Sequence, residues 1–167
     1  MICFEEKLRE IISLMPDLIN SNGTFPIRYD WGTQDVLNKF LLISENVSKY
    51  PLIWLVTGKD SDDLLRARVT RNTRLVIAVN SQNPDAFNEK QYQTDYVNIL
   101  IPTYKNLIKV LESSGASKII DSKVDKELKP NYSLNDNGKG LITIWNALVL
   151  DLQIELTKKC LNTNIKF

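Results

Sequence analysis

An alternating aliphatic pattern near the end of the chain constrains the fold more than any other feature. Aliphatic residues occupy the even positions of one stretch: Leu148, Leu150, Leu152, Ile154 and Leu156. A helix would scatter these positions around its surface, whereas a strand places all of them on one face. The pattern predicts a closing strand with a buried even face and a polar odd face, formed by Asp151, Gln153 and Glu155.

Composition is typical of an ordinary globular protein. The 167 residues are 43% hydrophobic and 25% charged, which suits a single domain over residues 1–167 with a hydrophobic core. The net charge of +1 does not draw the whole surface toward nucleic acid or anionic lipid. No apolar run approaches the ~20 residues of a membrane span, and the N-terminus lacks the pattern of a secretion signal. We therefore expect a protein of the cytoplasm that makes it, without a membrane partner.

Histidine is absent from the sequence. Its absence excludes Ser-His-Asp and Cys-His catalysis and every metal site built on imidazole. Cys3 and Cys160 lie near opposite ends and form no C-x-x-C pair, so we expect free thiols. We predict no catalytic, cofactor-binding or metal-binding residues and no cofactor, which leaves carboxylate, lysine or tyrosine chemistry as the open routes to an enzyme.

Two segments repeat apolar residues with the helical period. Spacings of three, four and seven from Phe4 to Ile19 predict an amphipathic helix that ends near Asn20. The same spacing returns over residues 96–111, and Gly115 is placed to end that helix. Because Pro102 interrupts the pattern, this second helix either begins near Pro102 or bends there.

Two further segments are typical of strands. Residues 51–56 are continuously apolar, which favours a buried central strand. Residues 66–80 are rich in β-branched side chains, and we expect a long strand that crosses the sheet at 74–80 and overhangs it at its arginine-rich start. Together these elements predict an α+β fold, with a mostly antiparallel twisted sheet and amphipathic helices packed on one face.

The segment before the closing strand is polar. Residues of about 117–137 are lysine-rich and predict an excursion from the domain. The sequence at 135–140 contains Asn-Gly, which favours a tight hairpin turn into the last strands. The alternation slackens at Asn146 and Ala147, where we expect a bulge or bend.

Charged residues cluster between positions 60 and 74. The cluster comprises Asp60, Asp62, Asp63, Arg66, Arg68, Arg71 and Arg74. On a strand, Arg71 points away from the other arginines, so they form a basic edge and not a broad patch. They face either DNA phosphates or acidic groups, such as the 60–63 loop of an adjacent copy, and the low net charge favours subunit contacts or a solvated role over DNA. We therefore predict an interface formed by this cluster together with Asp151, Gln153 and Glu155.

The order of elements resembles that of the tail terminator and tail completion (neck-ring) proteins of tailed bacteriophages. The matching elements are the N-terminal helix, the extended Phe25-Pro26-Ile27, the strands at 51–56 and 66–80, the helix at 96–111 and the closing strand at 148–156. The resemblance implies a non-enzymatic structural protein of the virion, made in the host cytoplasm. It also implies a homo-oligomeric ring that contacts neighbouring neck or tail proteins and encloses a channel, with non-specific proximity to DNA.

Two other function classes stay open at this point. Asp60, Asp62 and Asp63 could hold magnesium in a small carboxylate-dependent enzyme that acts on nucleic acid, with the nearby arginines binding phosphate. A solvated acidic loop explains the same three residues. A cytoplasmic protein-binding regulatory domain is the other class, and we rank both behind the structural virion protein.

Overall fold

The computed structural model describes residues 2–21, 23–43, 51–81, 88–121, 123–132 and 144–167. Nine strands lie in these ranges: β1 (Leu18–Asn20), β2 (Gly23–Phe25), β3 (Arg28–Gly32), β4 (Leu52–Val56), β5 (Asp60–Asp63), β6 (Arg68–Ser81), β7 (Ser117–Ile119), β8 (Asp125–Lys129) and β9 (Ile144–Thr157). β1 and β2 form a separate antiparallel hairpin, and the other strands form one seven-stranded sheet.

A long antiparallel ribbon of β6 and β9 forms the centre of the sheet. Its register runs without a break from Arg68 opposite Thr157 to Ser81 opposite Ile144. β4 and β5 follow one another along the outer side of β6, while β7 and β8 follow one another along the outer side of β9. β3 pairs in parallel with β4 at the edge, so the sheet is mixed but mostly antiparallel. The expected α+β class is confirmed.

Three helices complete the described fold. α1 is Phe4–Ile12, α2 is Gln34–Leu42, and α3 is continuous from an α-turn at Glu89–Gln91 through a π-helical stretch at Tyr92–Leu100 to an α-helix at Ile101–Ser113. No helix within the described ranges is long and apolar enough to cross a lipid bilayer.

The even face of the closing strand is buried, as the alternation predicts. Its aliphatic side chains lie in a core with α1 and α3. The opposite sheet face carries a second, smaller core, where Leu37 and Leu41 of α2 pack with Trp54 and Trp145. The two predicted helices, α1 and α3, pack on one face as expected, and α2, which was not predicted, covers part of the other face.

The first helix is shorter than its apolar spacing suggests. α1 ends at Ile12, whereas the pattern predicted a helix to about Asn20. Pro16 explains the difference, because it disfavours helical geometry at Met15 and has no N–H to donate to the carbonyl of Ile12. The chain then enters β1, where Ile19 is exposed and does not join the helix face.

α3 accommodates Pro102 without ending. Pro102 lies in the first turn of the α-helix that follows the π-helical stretch. Because α3 begins at Glu89, the alternative in which this helix begins near Pro102 was wrong. A proline cannot bond the carbonyl four residues earlier, which here belongs to Asn98. The side chain of Asn20 supplies the missing donor, with its Nδ2 3.0 Å from the Asn98 oxygen.

The polar stretch at 117–137 contains β7 and β8, which pair with β9. Every residue of β8 except its last is exposed, so no apolar alternation signals the strand. The turn expected at 135–140 lies outside the described residues. The bulge expected at Asn146 was wrong, because the β6–β9 register passes through Asn146 and Ala147 unbroken.

Candidate interface residues

The arginine-rich start of β6 lies inside the sheet, with a strand on each side. Residues 60–63 form β5, which places Asp60 opposite Arg71 and Asp63 opposite Arg68. On the other side of β6, Arg68 lies opposite Thr157 of β9. The expected overhang and the expected 60–63 loop were therefore wrong. Four consecutive polar residues carry no strand periodicity, so only the long-range pairing identifies β5.

Arg71 is enclosed on the face that carries α1. Its side chain is 3% exposed, its Nε donates to Asp60, and its Nη1 donates to Glu5 Oε1 at 2.8 Å. The guanidinium carbon lies 4.2 Å from the centre of the Phe4 ring. Burial lowers the pKa of Arg71, but the hydrogen bonds to Asp60 and Glu5 outweigh it and raise the pKa overall. Arg71 thus links α1 to the β5–β6 hairpin within one chain.

The polar side chains of β9 face partners on β6 of the same chain. We call these three cross-strand pairs the polar ladder: Arg68 with Glu155, Asn72 with Gln153, and Arg74 with Asp151. Arg74 donates to both oxygens of Asp151, at 2.8 and 2.9 Å, and this bond raises the pKa of Arg74. As expected, Arg68 and Arg74 share a face that Arg71 does not.

The polar ladder lies on the half of the second sheet face that α2 leaves open. An open groove of about 410 Å³ runs beside it, and its lining includes Thr57, Asn72, Arg74, Asp121 and Asp151. Asp121 Oδ2 accepts from the Gln153 backbone N–H at 2.7 Å. The ladder gives Asp151, Gln153 and Glu155 partners within the chain, so their polarity does not require a second protein.

The turn that joins β5 to β6 carries the most exposed apolar side chains of the described residues. We call residues 64–67 the hairpin tip; Leu64 is 82% exposed and Leu65 is 99% exposed. Asp63 orders the tip, because its Oδ1 accepts from the Arg66 backbone N–H at 3.1 Å and its Oδ2 lies 3.8 Å from Arg66 Nε. Arg66 therefore belongs to the turn and not to the strand. The sequence signal that could have indicated this exposed turn is the pair of leucines within a run of charged residues.

A buried polar cluster joins the π-helical part of α3 to β9. Asn146 Nδ2 donates to Asp95 Oδ2 at 2.7 Å, and Asn146 Oδ1 accepts from the Asn131 backbone N–H at 3.0 Å. Burial raises the pKa of Asp95, while hydrogen bonds with Asn146 and Ser81 oppose this shift. Asn146, where a bulge was expected, instead forms a buried hydrogen-bonded link between α3 and the sheet.

The three aspartates of β5 serve the hairpin. Asp60 binds Arg71, and Asp63 binds the backbone and side chain of Arg66. Over the ranges that the structure describes, no three Cys, Asp or Glu side chains are grouped so that they could hold a metal ion. Cys3 and Cys160 are exposed free thiols.

Comparison with known proteins assigns no family to the chain. No protein-family model matches it, and no curated protein matches it. The function is therefore inferred from the fold and the surface of this chain.

Proposed function

We propose that the protein is a non-enzymatic structural subunit that forms a closed ring at the head–tail junction of a tailed bacteriophage. Within that class it acts as a tail terminator or as another neck component. The element order supports this proposal, since α1, β4, β6, α3 and β9 follow one another along the chain in the order on which the resemblance was based. Its partners are further copies of the chain and the adjoining neck or tail proteins of the virion.

The hairpin tip is the observation that carries the proposal. Single exposed apolar residues are common on protein surfaces, but two adjacent leucines that lie almost wholly in water mark a contact surface. Burial of each leucine in a neighbouring subunit would contribute about 1.5–3 kcal/mol. We assign the tip to a contact with an adjoining copy in the ring.

The anchoring of the hairpin adds to this support. Arg71 ties β5 and β6 to α1, and Asp63 orders the turn that bears the leucines. A contact element that is already ordered loses little conformational entropy when it binds. The hairpin tip is thus ordered before any partner binds, as expected of a contact between subunits.

The arginines support a nucleic-acid enzyme less well. Arg71 is buried, and Arg68 and Arg74 each already bind a carboxylate. A phosphate would have to compete with these carboxylates for the same guanidinium groups. A protein-binding regulatory domain could also use exposed leucines, so the test must separate a virion partner from a host partner.

The test uses particles of a phage that encodes the chain. We expect mass spectrometry to find the protein in purified virions, and negative-stain electron microscopy of the purified protein to find rings with a central channel. If the protein were missing from purified virions and a pull-down recovered only a host regulator, the proposal would be overturned.

A matched pair of variants tests the role of the hairpin tip. We expect Leu64→Ser with Leu65→Ser to abolish complementation of a phage that lacks the gene. Ile19→Ser changes a comparably exposed apolar residue on the β1–β2 hairpin, and we expect it to complement normally. Circular dichroism should be the same for both variants, because Leu64, Leu65 and Ile19 all lie outside the core. Equal complementation by the two would contradict the assigned contact.

A further inference from the structure

One residue of the hairpin tip has a backbone conformation that its side chain disfavours. Ala67 has a φ of 49°, which lies in the left-handed region. A Cβ atom comes too close to the following carbonyl oxygen in this region, so glycine and, less often, asparagine are its usual occupants. Within the described ranges, Asn131 has the only other positive φ outside glycine, and its residue type tolerates it. The backbone of the tip is therefore strained at Ala67.

Ala67 closes the turn that carries the two exposed leucines. Asp63 lies opposite Arg68 in the pair of β5 and β6 residues nearest the turn, so the four residues between them reverse the chain. Ala67 is half-buried at the base of this turn, where it lines a cleft of about 60 Å³ together with Ile2 and Lys158. The exposed leucines, and not Ala67, are thus the side chains that a neighbouring copy can cover.

A side-chain hydrogen bond holds the turn against this strain. Asp63 Oδ1 accepts from the Arg66 backbone N–H at 3.1 Å, one residue before Ala67. Because Leu64 and Leu65 are exposed, packing contributes little to the conformation of the turn. A strained backbone persists only where its surroundings hold it in place. The carboxylate of Asp63 supplies such a constraint at the residue next to the strain.

We propose that Asp63 is a positioning residue for the contact between copies, and that it acts by holding the turn against the strain at Ala67. This inference rests on the proposed function, because it concerns the contact of the hairpin tip with an adjoining copy. Asp63 increases the fraction of free subunits whose leucines are oriented for that contact, and a larger fraction means tighter binding. At typical values, the hydrogen bond and the strain each amount to about a five- to ten-fold change in an equilibrium constant, so removal of one can compensate for removal of the other.

Variants of Asp63 test the positioning role by sedimentation over a concentration series. We expect Asp63→Ala to weaken self-association several-fold, because the leucines are then oriented for contact less often. Asp63→Asn keeps an oxygen that accepts from the Arg66 N–H, so it should associate like wild type. Hydrogen exchange at the Arg66 amide of the dilute monomer should be faster in Asp63→Ala alone. Equal association of the two variants would overturn the positioning role.

A second change separates positioning from a direct contact made by Asp63. We expect Asp63→Ala with Ala67→Gly to associate within about two-fold of wild type, since glycine removes the strain that the lost hydrogen bond opposed. If the double variant stayed as weak as Asp63→Ala, the carboxylate would act by touching the partner and the inference would be overturned.

The strain itself is measured without assembly. At a concentration where the protein is monomeric, Ala67→Gly should raise the melting temperature by about 2–4 °C. A melting temperature that did not rise would remove the strain on which the inference depends.

These results distinguish the inference from the proposed function. An oligomer that is weakened by Leu64→Ser with Leu65→Ser, but not by Asp63→Ala, would overturn the positioning role and leave the tip contact intact. A wild-type protein that is monomeric in solution and missing from virions would overturn both.

Discussion

Arg71 and Arg74 lie three positions apart on β6 and play different parts. Arg71 is 3% exposed and binds carboxylates from two other elements, α1 and β5. Arg74 is 54% exposed and binds one carboxylate on the adjacent strand β9. The comparison teaches that the face on which a strand residue lies, more than its charge, decides whether an ion pair holds the fold together.

The two sheet faces extend this contrast. The face under α1 and α3 is closed, and its one arginine fixes the position of the β5–β6 hairpin. The face under α2 is only half covered. In the open half, the charged residues of the polar ladder form ion pairs with one another. The proposed contact with another copy therefore lies at the hairpin tip, where two leucines are exposed.

Removal of Arg71 should have the largest effect. We expect Arg71→Met to lower the free energy of unfolding by about 3 kcal/mol, because it leaves Glu5 and Asp60 without their buried partner. Chemical denaturation measures this loss. Adding Glu5→Gln and Asp60→Asn should recover part of it, since the uncompensated charges are then gone. A loss below that of Arg74→Met would break the comparison.

Asn146 should come next in effect. We expect Asn146→Leu to cost about 2 kcal/mol, because the Asp95 carboxylate and the Asn131 N–H lose a buried partner. The same denaturation assay applies. Asp95→Asn is the matched control, since its amide oxygen can still accept from Asn146 Nδ2. Equal losses in the two variants would argue against a specific polar cluster.

Replacement of Asp95 should also change how the free energy of unfolding depends on pH. Burial raises the pKa of Asp95 in the folded state. The folded state therefore holds this proton to higher pH than the unfolded state, so the contribution to stability is fully present below the unfolded pKa and falls as pH rises through the folded pKa. We expect Asp95→Asn to remove this decline, so that its stability relative to wild type increases over that interval. A constant difference between the two proteins across pH would contradict the raised pKa.

Arg74 should have the smallest effect on folding. We expect Arg74→Met to cost less than about 1 kcal/mol, because the pair with Asp151 is exposed to water. The cost should shrink further at high salt, where exposed charges are screened. A double-mutant cycle with Asp151→Asn measures the pair itself. A coupling as large as the effect of Arg71→Met would remove the distinction between the two faces.

The sequence predicted best those strands whose own residues show a hydrophobic pattern. The even aliphatics of β9 and the apolar run at 51–56 required no knowledge of their partners. β5 and β8 carried no such signal, because their polar residues become strands only by pairing with β6 and β9. α2 was missed, although the Thr33 side chain caps it and the buried Leu37 and Leu41 lie one turn apart.

The charged cluster shows the limit of sequence reasoning about a site. The sequence shows that these charged residues cluster, but their partners depend on the register between β6 and β9, which lie more than 60 residues apart in sequence. Arg71 was separated from Arg68 and Arg74 correctly by strand periodicity. Its enclosure by Glu5 and Phe4 depends on where α1 packs, which no local pattern encodes.

Sedimentation velocity over a concentration series tests the central claim, that this chain is an assembly subunit whose hairpin tip contacts another copy. We expect the wild-type protein to sediment as a closed oligomer of defined mass. We expect Leu64→Ser with Leu65→Ser to shift it toward monomer with unchanged circular dichroism. A wild-type protein that stays monomeric at every concentration, or a tip variant that assembles like wild type, would contradict the account.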